Sequence, residues 1–390
     1  MTSVLVTNGL QSKSLAAVRS LGSRGQRIIV GEKESIHTSG FSKYASMSVV
    51  YPDPVQHPEA FIDWCQRLIL KEKVDVILAM DDDVLNALVP RQQEMKNYCK
   101  IPLPPLASYK TASDKGSTMA LARQRGVPHP KTVIPEFGTQ VEASTLINLV
   151  EDLTFPLAVK PSHSSGSRGI RFAADIDELV AVYPAIRRSY PNALIQEAVP
   201  VGAKYDVGLC YDSAGQLVAS YVQREVRNFP LSRGPSTVSE SVTHPEILAY
   251  ALKLMGGLPW CGIVEVEFMV DPRSGTPMLM EINPRTWSSL HNAILAGVDF
   301  PHILLQAALC EPLEPVHTYR AGVMTRRLFP WDLLHFFSNP ERLHLDPSFF
   351  SPHIPDDILS WSDFGPTLGF LLSALRNAIR PSMWKFLIQR

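Results

Sequence analysis

The stretch from Cys261 to Arg285, CGIVEVEFMVDPRSGTPMLMEINPR, constrains the fold most, because polar and apolar residues alternate in two runs on either side of a turn. In a strand, successive side chains point to opposite faces, so Glu265 and Glu267 share one face. Glu281 and Asn283 share a face of the second run, and the residues DPRSG between the runs are typical of a turn. The pattern predicts a β-hairpin that brings Glu267, Glu281 and Asn283 together on one polar surface.

Two glutamates and an asparagine offer the hard oxygen ligands that Mg²⁺ prefers in sites that also bind nucleotide phosphates. The alternative is an amphipathic hairpin whose acidic face is only solvated. The Asn-Pro-Arg sequence that contains Asn283 and ends at Arg285 favours the metal site. Arg285 would lie beside the metal, where it could hold a carboxylate or a developing negative charge.

Length and composition limit the class of protein. The 390 residues fit two or three packed units, on a rough prior of about 150 residues per domain. The formal net charge of -1 gives no general attraction to nucleic acid, so we expect no nucleic-acid partner. The five cysteines are scattered and the N-terminus lacks signal-peptide features, which predicts free thiols and a cytoplasmic protein. No run reaches the roughly 18 apolar residues of a membrane-spanning helix.

The first hundred residues alternate short apolar runs with amphipathic stretches. Ser3–Thr7 and Arg27–Val30 are predicted strands around an amphipathic segment at Ser14–Leu21, and Val74–Ala79 is another apolar run, followed by aspartates at positions 81–83. This alternation predicts a parallel sheet. The first turn, TNGLQS, lacks the G-x-G-x-x-G spacing of dinucleotide-binding folds, so an NAD site is not expected.

A proline-rich run then marks the first domain boundary. The sequence KIPLPPL at positions 100–106 suits an extended linker. A helical pattern resumes from Ser108 to Arg125, and GVPHP ends it.

The segment Phe155–Phe172, FPLAVKPSHSSGSRGIRF, predicts a strand ending at Lys160, a Ser/Gly loop and a second strand. Backbone N–H groups of such a loop can surround an anion, and Lys160 would add positive charge. A Walker A loop would instead place G-K-[S/T] at the start of a helix, so this is not a P-loop. A flexible surface hairpin explains the same pattern about as well.

Together these segments resemble the ATP-grasp superfamily, which includes biotin carboxylase, the carbamoyl phosphate synthetase large chain and D-alanine:D-alanine ligase. The resemblance rests on EVEF…MEINPR and is greatest for carboxylate-amine ligases related to carbamoyl phosphate synthetase. It implies an α/β fold of the α+β ATP-grasp type. A Rossmann-like domain would occupy residues 1–107, an ATP-grasp domain 108–313 with its lid at about 155–200, and a C-terminal extension 314–390.

The resemblance also implies roles for the residues that match the family's motifs. Glu267, Glu281 and Asn283 would bind Mg²⁺, which Mn²⁺ could replace, and Arg285 would be a catalytic-site arginine. ATP would be held by two lysines, by the loop between the predicted strands and by the backbone of a hinge strand. The residues implied are Lys115, Lys160, Ser165, Gly166, Ser167, Gly169, Gln196, Glu197 and Val199.

Two further assignments depart from, or go beyond, the motif. Where the family commonly has an acidic residue for the ribose hydroxyls, this chain has Lys204, and Asp206 on the same strand face is the candidate replacement. Arg224 and Arg227 lie between the hinge and the hairpin, where the family contacts phosphate and the substrate carboxylate. An arginine at a surface is more often solvated than functional, so both assignments rest on the resemblance.

The function that the resemblance implies is an ATP-dependent ligase that joins a carboxylate to an amine, or to a thiol, through an acyl phosphate. Its partners would be a small carboxylate and a small amine, and the sequence leaves the oligomeric state open. Two alternatives remain: an enzyme that forms a carboxy or carbamoyl phosphate from bicarbonate, and a non-catalytic ATP-binding regulatory protein.

Residues 366–390 combine aromatic and leucine side chains with basic residues and no acidic residue. This composition suits an amphipathic helix on an anionic membrane surface. We favour a helix that packs on the catalytic domain, because Pro366 and Pro381 confine it to about four turns.

Overall fold

The computed structural model describes residues 1–135, 142–163, 169–231 and 234–378. In this part of the chain, three β-sheets are present, with helices packed against them. The α+β architecture predicted from the resemblance is confirmed.

The N-terminal unit is a four-stranded parallel sheet in the order β3-β2-β1-β4. Its strands are β1 (Ser3–Val6), β2 (Arg27–Glu32), β3 (Met47–Val50) and β4 (Val76–Leu78). Its helices are α1 (Ser12–Ser23), α2 (Pro58–Glu72), α3 (Asp82–Leu88) and α4 (Gln92–Met95), with short 3-10 turns at Thr38–Phe41 and Val89–Arg91. β1 is flanked on both sides and is buried throughout, as expected for a central parallel strand. The carboxyl ends of β1 and β4 therefore open on one edge, where the aspartates at positions 81–83 lie.

The second sheet is small and antiparallel, in the order β5-β8-β6-β7. It consists of β5 (Thr132–Val133), β6 (Leu157–Pro161), β7 (Arg171–Ala173) and β8 (Ala193–Glu197), covered by α7 (Ala143–Leu149) and α8 (Ile176–Ser189). Asp175 caps α8 by accepting a hydrogen bond from the Glu178 N–H. Leu157, Val159 and Ile195 pack against the helices in one hydrophobic cluster. This sheet carries Lys160 and the predicted hinge strand.

The third sheet has the order β13-β12-β9-β10-β11-β14. Its strands are β9 (Lys204–Tyr211), β10 (Leu217–Asn228), β11 (Ser236–Ser241), β12 (Gly262–Val270), β13 (Pro277–Asn283) and β14 (Met324–Arg326). The associated helices are α5 (Leu106–Ser113), α6 (Lys115–Arg125), α9 (Pro245–Met255), α10 (Leu290–Ala296) and α11 (Phe300–Leu309). β12 and β13 form the predicted antiparallel hairpin, with Glu267 opposite Glu281 and Glu265 opposite Asn283.

Helix α6 ends where the sequence pattern predicts, but the predicted helical pattern from Ser108 to Arg125 is divided into α5 and α6 at Asp114. Asp114 is the N-cap, and its carboxylate accepts a hydrogen bond of 2.7 Å from the Ser117 N–H. Gly126 ends the helix with φ of +59°, a conformation that favours glycine. Lys115 is thereby fixed at the first position of the helix.

A strand after residue 313 belongs to the third sheet. β14 pairs with β11, placing Arg326 opposite Val238. The chain continues through a short helical segment at Leu328–Asp332 and the helices α12 (Leu333–Ser338) and α13 (Gly365–Ala378). Residues 324–326 are therefore a strand of the large sheet.

Helix α13 packs on the N-terminal unit. The Ser373 hydroxyl donates to the Ile36 carbonyl at 3.0 Å, and Arg376 lies 3.2 Å from Glu34. Leu371 and Leu375 on the same helix remain exposed. Packing is thus confirmed for α13, although its support is the N-terminal unit, and residues 379–390 lie outside the described part of the chain.

In the described ranges, no single helix is both long and apolar enough to cross a membrane. The pair α10 and α11 reaches that length and hydropathy only together, and the two helices are bent by 88° relative to each other. Their side chains are largely buried in the core beside Trp287.

Candidate active site

Three carboxylates meet on neighbouring strands of the large sheet. The register places Glu267 of β12 beside Asp206 of β9. Glu265, two residues before Glu267, lies on the same face of β12. Carboxylate oxygens of Asp206, Glu265 and Glu267 all lie within 4.8 Å of one another. Such a concentration of negative charge requires protons or a cation for compensation.

The electrostatics of this cluster support a cation. Burial, together with the neighbouring carboxylates, raises the pKa of Asp206 and of Glu267 well above the usual range. Burial likewise raises the pKa of Glu265 to about 7, although Arg285 opposes the shift. A divalent cation would stabilise the ionised carboxylates, and hard oxygen donors of this kind fit Mg²⁺ or Mn²⁺.

Asn283 and Glu281 complete this polar face from β13. The Asn283 amide donates to Glu265 at 3.0 Å and to Glu267 at 2.5 Å. Glu281 forms an ion pair of 2.7 Å with Lys115. Burial would raise the pKa of Glu281, but the Lys115 ammonium outweighs that effect and the pKa is lowered. The three predicted metal ligands are therefore brought together, and their coordination of a metal stays a prediction.

A β-bulge shapes the floor of the cleft. The register between β12 and β13 shifts after Glu267, so that Phe268 pairs with Leu279 and Met280 is the extra residue. Consequently the adjacent residues Met280 and Glu281 both line the cleft. An apolar and an acidic side chain thus lie next to each other on its floor.

The two predicted phosphate-binding lysines lie on opposite sides of a cleft of about 190 Å³ between the small and large sheets. Lys115 opens α6, and Lys160 ends the buried strand β6. The Lys160 ammonium donates to the Gln196 side chain at 2.6 Å, which ties it to β8. A nucleoside triphosphate with its metal requires such an arrangement, in which two cations face the phosphates and a carboxylate cluster faces the metal.

The predicted loop is only partly described. Ser165, Gly166 and Ser167 lie outside the described residues. Gly169 has φ of +76°, and a Cβ atom there would lie 2.8 Å from the Pro161 and Tyr190 side chains. Glycine is therefore required where the chain enters β7.

The predicted hinge lies on β8 and just beyond it. The Glu197 N–H donates to the Lys131 carbonyl at 2.9 Å, so it is already occupied by protein. Val199 is buried. Gln196, Glu197 and Val199 are not among the described residues that line the cleft, and adenine recognition at the hinge stays a prediction.

The ribose contact of Asp206 stays a prediction. Asp206 lies in the carboxylate cluster and accepts a hydrogen bond of 2.7 Å from Gln223. Lys204 and Asp206 both line the cleft, and Lys204 lies 3.4 Å from Glu225. The two-residue period of a strand correctly placed Lys204 and Asp206 on one face. The cross-strand neighbour of Asp206 is Glu267, which makes Asp206 an additional candidate metal ligand.

The assignments of Arg224 and Arg227 as anion contacts need correction, because both arginines are engaged elsewhere. Arg224 pairs with Glu240 at 2.5 Å, and its side chain is 43% exposed. Arg227 is buried and forms two bonds of 2.9 Å to the buried Asp332. Neither is among the described residues that line the cleft.

Sequence reasoning missed three charged residues that line the cleft, Glu225, Glu265 and Arg327. Glu265 could have been found, since it shares a strand face with Glu267. Arg327 follows β14, and its position depends on the pairing of β14 with β11. No local pattern signals that long-range contact.

Two sheets that enclose a cleft lined by two lysines and a carboxylate cluster define the ATP-grasp class. Residues 114–316 match the family model described as "Carbamoyl-phosphate synthase L chain, ATP binding domain". This match covers more than half of the chain, and the chain belongs to this family.

Sequence relatives are longer than this chain. The C-terminal section of the carbamoyl phosphate synthase large chain from Methanopyrus kandleri is 24% identical over 180 residues, which is 44% of this chain and 32% of that protein. Acetyl-CoA carboxylase 1 of Oryza sativa subsp. japonica is 25% identical over 209 residues, which is 47% of this chain and 9% of that protein. The chain thus spans a third or less of the length of these relatives.

Solved structures share the fold at low identity. The biotin carboxylase domain of Hydrogenobacter thermophilus 2-oxoglutarate carboxylase, solved with MgADP, ADP and bicarbonate, is similar with a TM-score of 0.68 and 15% identity, over 83% of this chain and 73% of that one. N5-carboxyaminoimidazole synthetase of Staphylococcus aureus gives 0.64 and 14%, over 84% and 82%. An L-amino acid ligase of Bacillus licheniformis gives 0.61 and 17%, over 80% and 75%.

Competition between protons and metal predicts a pH dependence of metal binding. Since the pKa of Glu265 is raised to about 7, this group is mostly protonated below pH 7, and Mg²⁺ must displace the proton. Affinity for MgADP, measured by calorimetry, should rise between pH 6.5 and 8, by at most about tenfold per pH unit for each proton released. Glu265→Gln should make the profile shallower, because one proton fewer is released, and an unchanged slope in that variant would contradict a role for Glu265.

Proposed function

We propose that this protein is an ATP-dependent ligase that activates a small carboxylate as an acyl phosphate and joins it to an amine. The observation that carries the proposal is Arg327, an arginine in the cleft that pairs with no carboxylate among the described residues. An ATP-binding protein that catalyses no reaction needs a site for the phosphates of ATP. It does not need a second anion site beside the carboxylate cluster.

Arg327 lines the same cleft as the carboxylate cluster. Its guanidinium donates to the Ser236 carbonyl, and in the ranges that the structure describes no carboxylate lies within ion-pair distance of it. Burial lowers the pKa of Arg327, with Asp357 and Glu225 opposing the shift. A buried guanidinium is stabilised by an anion in bidentate contact, and a substrate carboxylate has the matching geometry.

The side chains would divide the work as follows. Lys115 and Lys160 hold the phosphates of ATP, and Arg327 with Lys204 holds the substrate carboxylate. Glu267, Glu281 and Asn283, with support from Asp206 and Glu265, would hold Mg²⁺, which would offset the negative charge of the phosphates.

The reaction balances in two steps. A carboxylate oxygen attacks the γ-phosphorus, its bond to the β-phosphate oxygen breaks, and ADP leaves. The amine nitrogen then attacks the acyl carbon and loses a proton to solvent, and inorganic phosphate leaves with the C–O electron pair. Arg285 would stabilise the oxyanion formed in the second step.

A second candidate uses bicarbonate as the carboxylate. The structure from Hydrogenobacter thermophilus that shares this fold was solved with bicarbonate, and the same arginine could hold that smaller anion. The amine product would then be a carbamate. The two candidates differ in whether turnover requires an organic acid.

A screen of organic acids and amines with ATP and Mg²⁺ tests the proposal by release of phosphate. We expect ADP and phosphate only when an acid and an amine are both present, in buffer depleted of dissolved carbon dioxide. Turnover that needs bicarbonate alone would support the second candidate. Release of AMP and pyrophosphate would contradict both.

The matched variants Arg327→Gln and Arg326→Gln test the role of the cleft arginine. Arg327→Gln should raise KM for the acid about 10- to 100-fold, because a charge-assisted pair is lost. Arg326 donates to the Phe349 carbonyl at 2.9 Å and is not among the described cleft-lining residues, so its variant should keep the KM of the wild type. Equal KM values in the two variants would rule out carboxylate binding by Arg327.

A further inference from the structure

The N-terminal unit reaches into the candidate active site through the aspartates that follow β4. Asp82 lies 3.2 Å and Asp81 lies 3.6 Å from Nε of Arg285. Arg285 is only 14% exposed at its side chain. Arg285, which follows β13 and lines the cleft, therefore contacts two carboxylates of the N-terminal unit.

Lys13 extends this contact. Its ammonium lies 2.9 Å from Asp81 and donates to the Thr286 carbonyl at 3.0 Å, and its side chain is 2% exposed. The neighbouring Ser12 hydroxyl donates to the Ser288 carbonyl at 3.2 Å. The first helix of the N-terminal unit thus fixes the backbone on the carboxyl side of Arg285.

The remaining bonds of Arg285 show what the network leaves available. Nη1 donates to the Thr286 carbonyl and Nη2 to the Asn283 side chain, each at 3.2 Å. With Nε on Asp82, three of the five N–H groups are in use, and one N–H remains on each of Nη1 and Nη2. A guanidinium fixed in this way can offer a pair of donors to an oxyanion.

We propose that Asp81, Asp82 and Lys13 are positioning residues, which hold the Arg285 guanidinium in the orientation required by the reaction. The proposal rests on the proposed function for the role of Arg285. It gives the N-terminal unit a part in catalysis, because fixing a charged donor before the reaction avoids the cost of reorienting it in the transition state. Free rotation of Arg285 would lose that advantage without removing the charge.

The aspartate triplet provides its own control. Asp83 neighbours Asp82 in the sequence, but it accepts a hydrogen bond of 2.8 Å from Asn8 and lies 3.9 Å from Lys33. It makes no ion pair with Arg285. Asp83→Asn removes the same charge from the start of the same helix and leaves the contacts of the arginine unchanged.

Steady-state kinetics of the full-length variants test the proposal. Asp82→Asn and Asp81→Asn should each lower kcat about 10- to 100-fold, with KM for ATP within about twofold of the wild type. Asp83→Asn should stay within about twofold in kcat, and Asp82→Glu should recover part of the loss. The proposal is overturned if Asp82→Asn and Asp83→Asn have the same kcat, or if the loss of kcat follows a matching fall in melting temperature.

A chemical readout separates this proposal from the proposed function. Phenylglyoxal modifies free guanidinium groups, and mass spectrometry of peptides follows the rate at Arg285. Asp81→Asn and Asp82→Asn should speed the labelling of Arg285 relative to Arg224 in the same sample, and Asp83→Asn should not. Faster labelling in a protein that shows no acid-dependent turnover would support the positioning contact and reject the ligase, whereas unchanged labelling would reject the positioning contact.

Discussion

Replacing Glu281 with glutamine is expected to lower ATP turnover by about 10³-fold or more, while the fold is retained. Glu281 lies opposite Glu267 and pairs with Lys115 at 2.7 Å, so the change removes both a candidate metal ligand and the partner of a lysine that we propose binds phosphate. Glutamine keeps the size of the side chain, which limits the effect on packing. ADP release measures the loss, and circular dichroism checks the fold.

Glu246→Gln provides a matched control for this experiment. Glu246 is an exposed residue in the first turn of α9, away from the cleft, and its variant should turn over ATP at the rate of the wild type. Wild-type turnover by Glu281→Gln would remove Glu281 from the catalytic machinery.

Replacing Arg227 with alanine is expected to lower the free energy of unfolding by about 3–5 kcal/mol. The change leaves Asp332 without its bidentate partner, and Asp332 is fully buried. Breaking one side of a buried ion pair is costly, because the remaining charge has lost both its partner and water. Urea denaturation of the full-length protein measures the change.

Two further variants sharpen this test. Arg224→Ala should change stability by less than about 1 kcal/mol, because the pair with Glu240 is partly exposed. The double variant Arg227→Met with Asp332→Leu should recover most of the stability lost by Arg227→Ala, since no buried charge is left unpaired. A stable Arg227→Ala protein that has lost activity would instead return Arg227 to the substrate site.

Local rules explain what the sequence could predict. The alternation of Glu265, Glu267, Glu281 and Asn283 with apolar residues predicts a hairpin, because the period of two is a property of each strand alone. The N-cap Asp114 and the final Gly126 likewise mark α6 through interactions within one or two turns. The hairpin and the start of this helix were therefore predictable without knowledge of the tertiary structure.

The other parts of the site depend on contacts between distant segments. Arg227 meets Asp332 across a separation of 105 residues, and Arg285 meets Asp82 across 203 residues. A charged residue in an alternating strand gives no sign of which distant segment will neutralise it. Arg224 and Arg227 look equivalent in the sequence, but they bind different partners. Arg224 pairs with Glu240 near the surface, and Arg227 pairs with Asp332 in the core.

The pairing of β14 with β11 has a consequence for how proteins of this kind can diverge. The strand at the edge of the sheet also brings Arg327 to the cleft, so one short peptide contributes to folding and, under the proposed function, to binding of the acid. A chimera that exchanges residues 314–378 with a relative should therefore inherit that relative's acid preference while keeping its own nucleotide site. Deleting the same residues would leave β11 as an open edge, a template for self-association, and would not yield a smaller working enzyme.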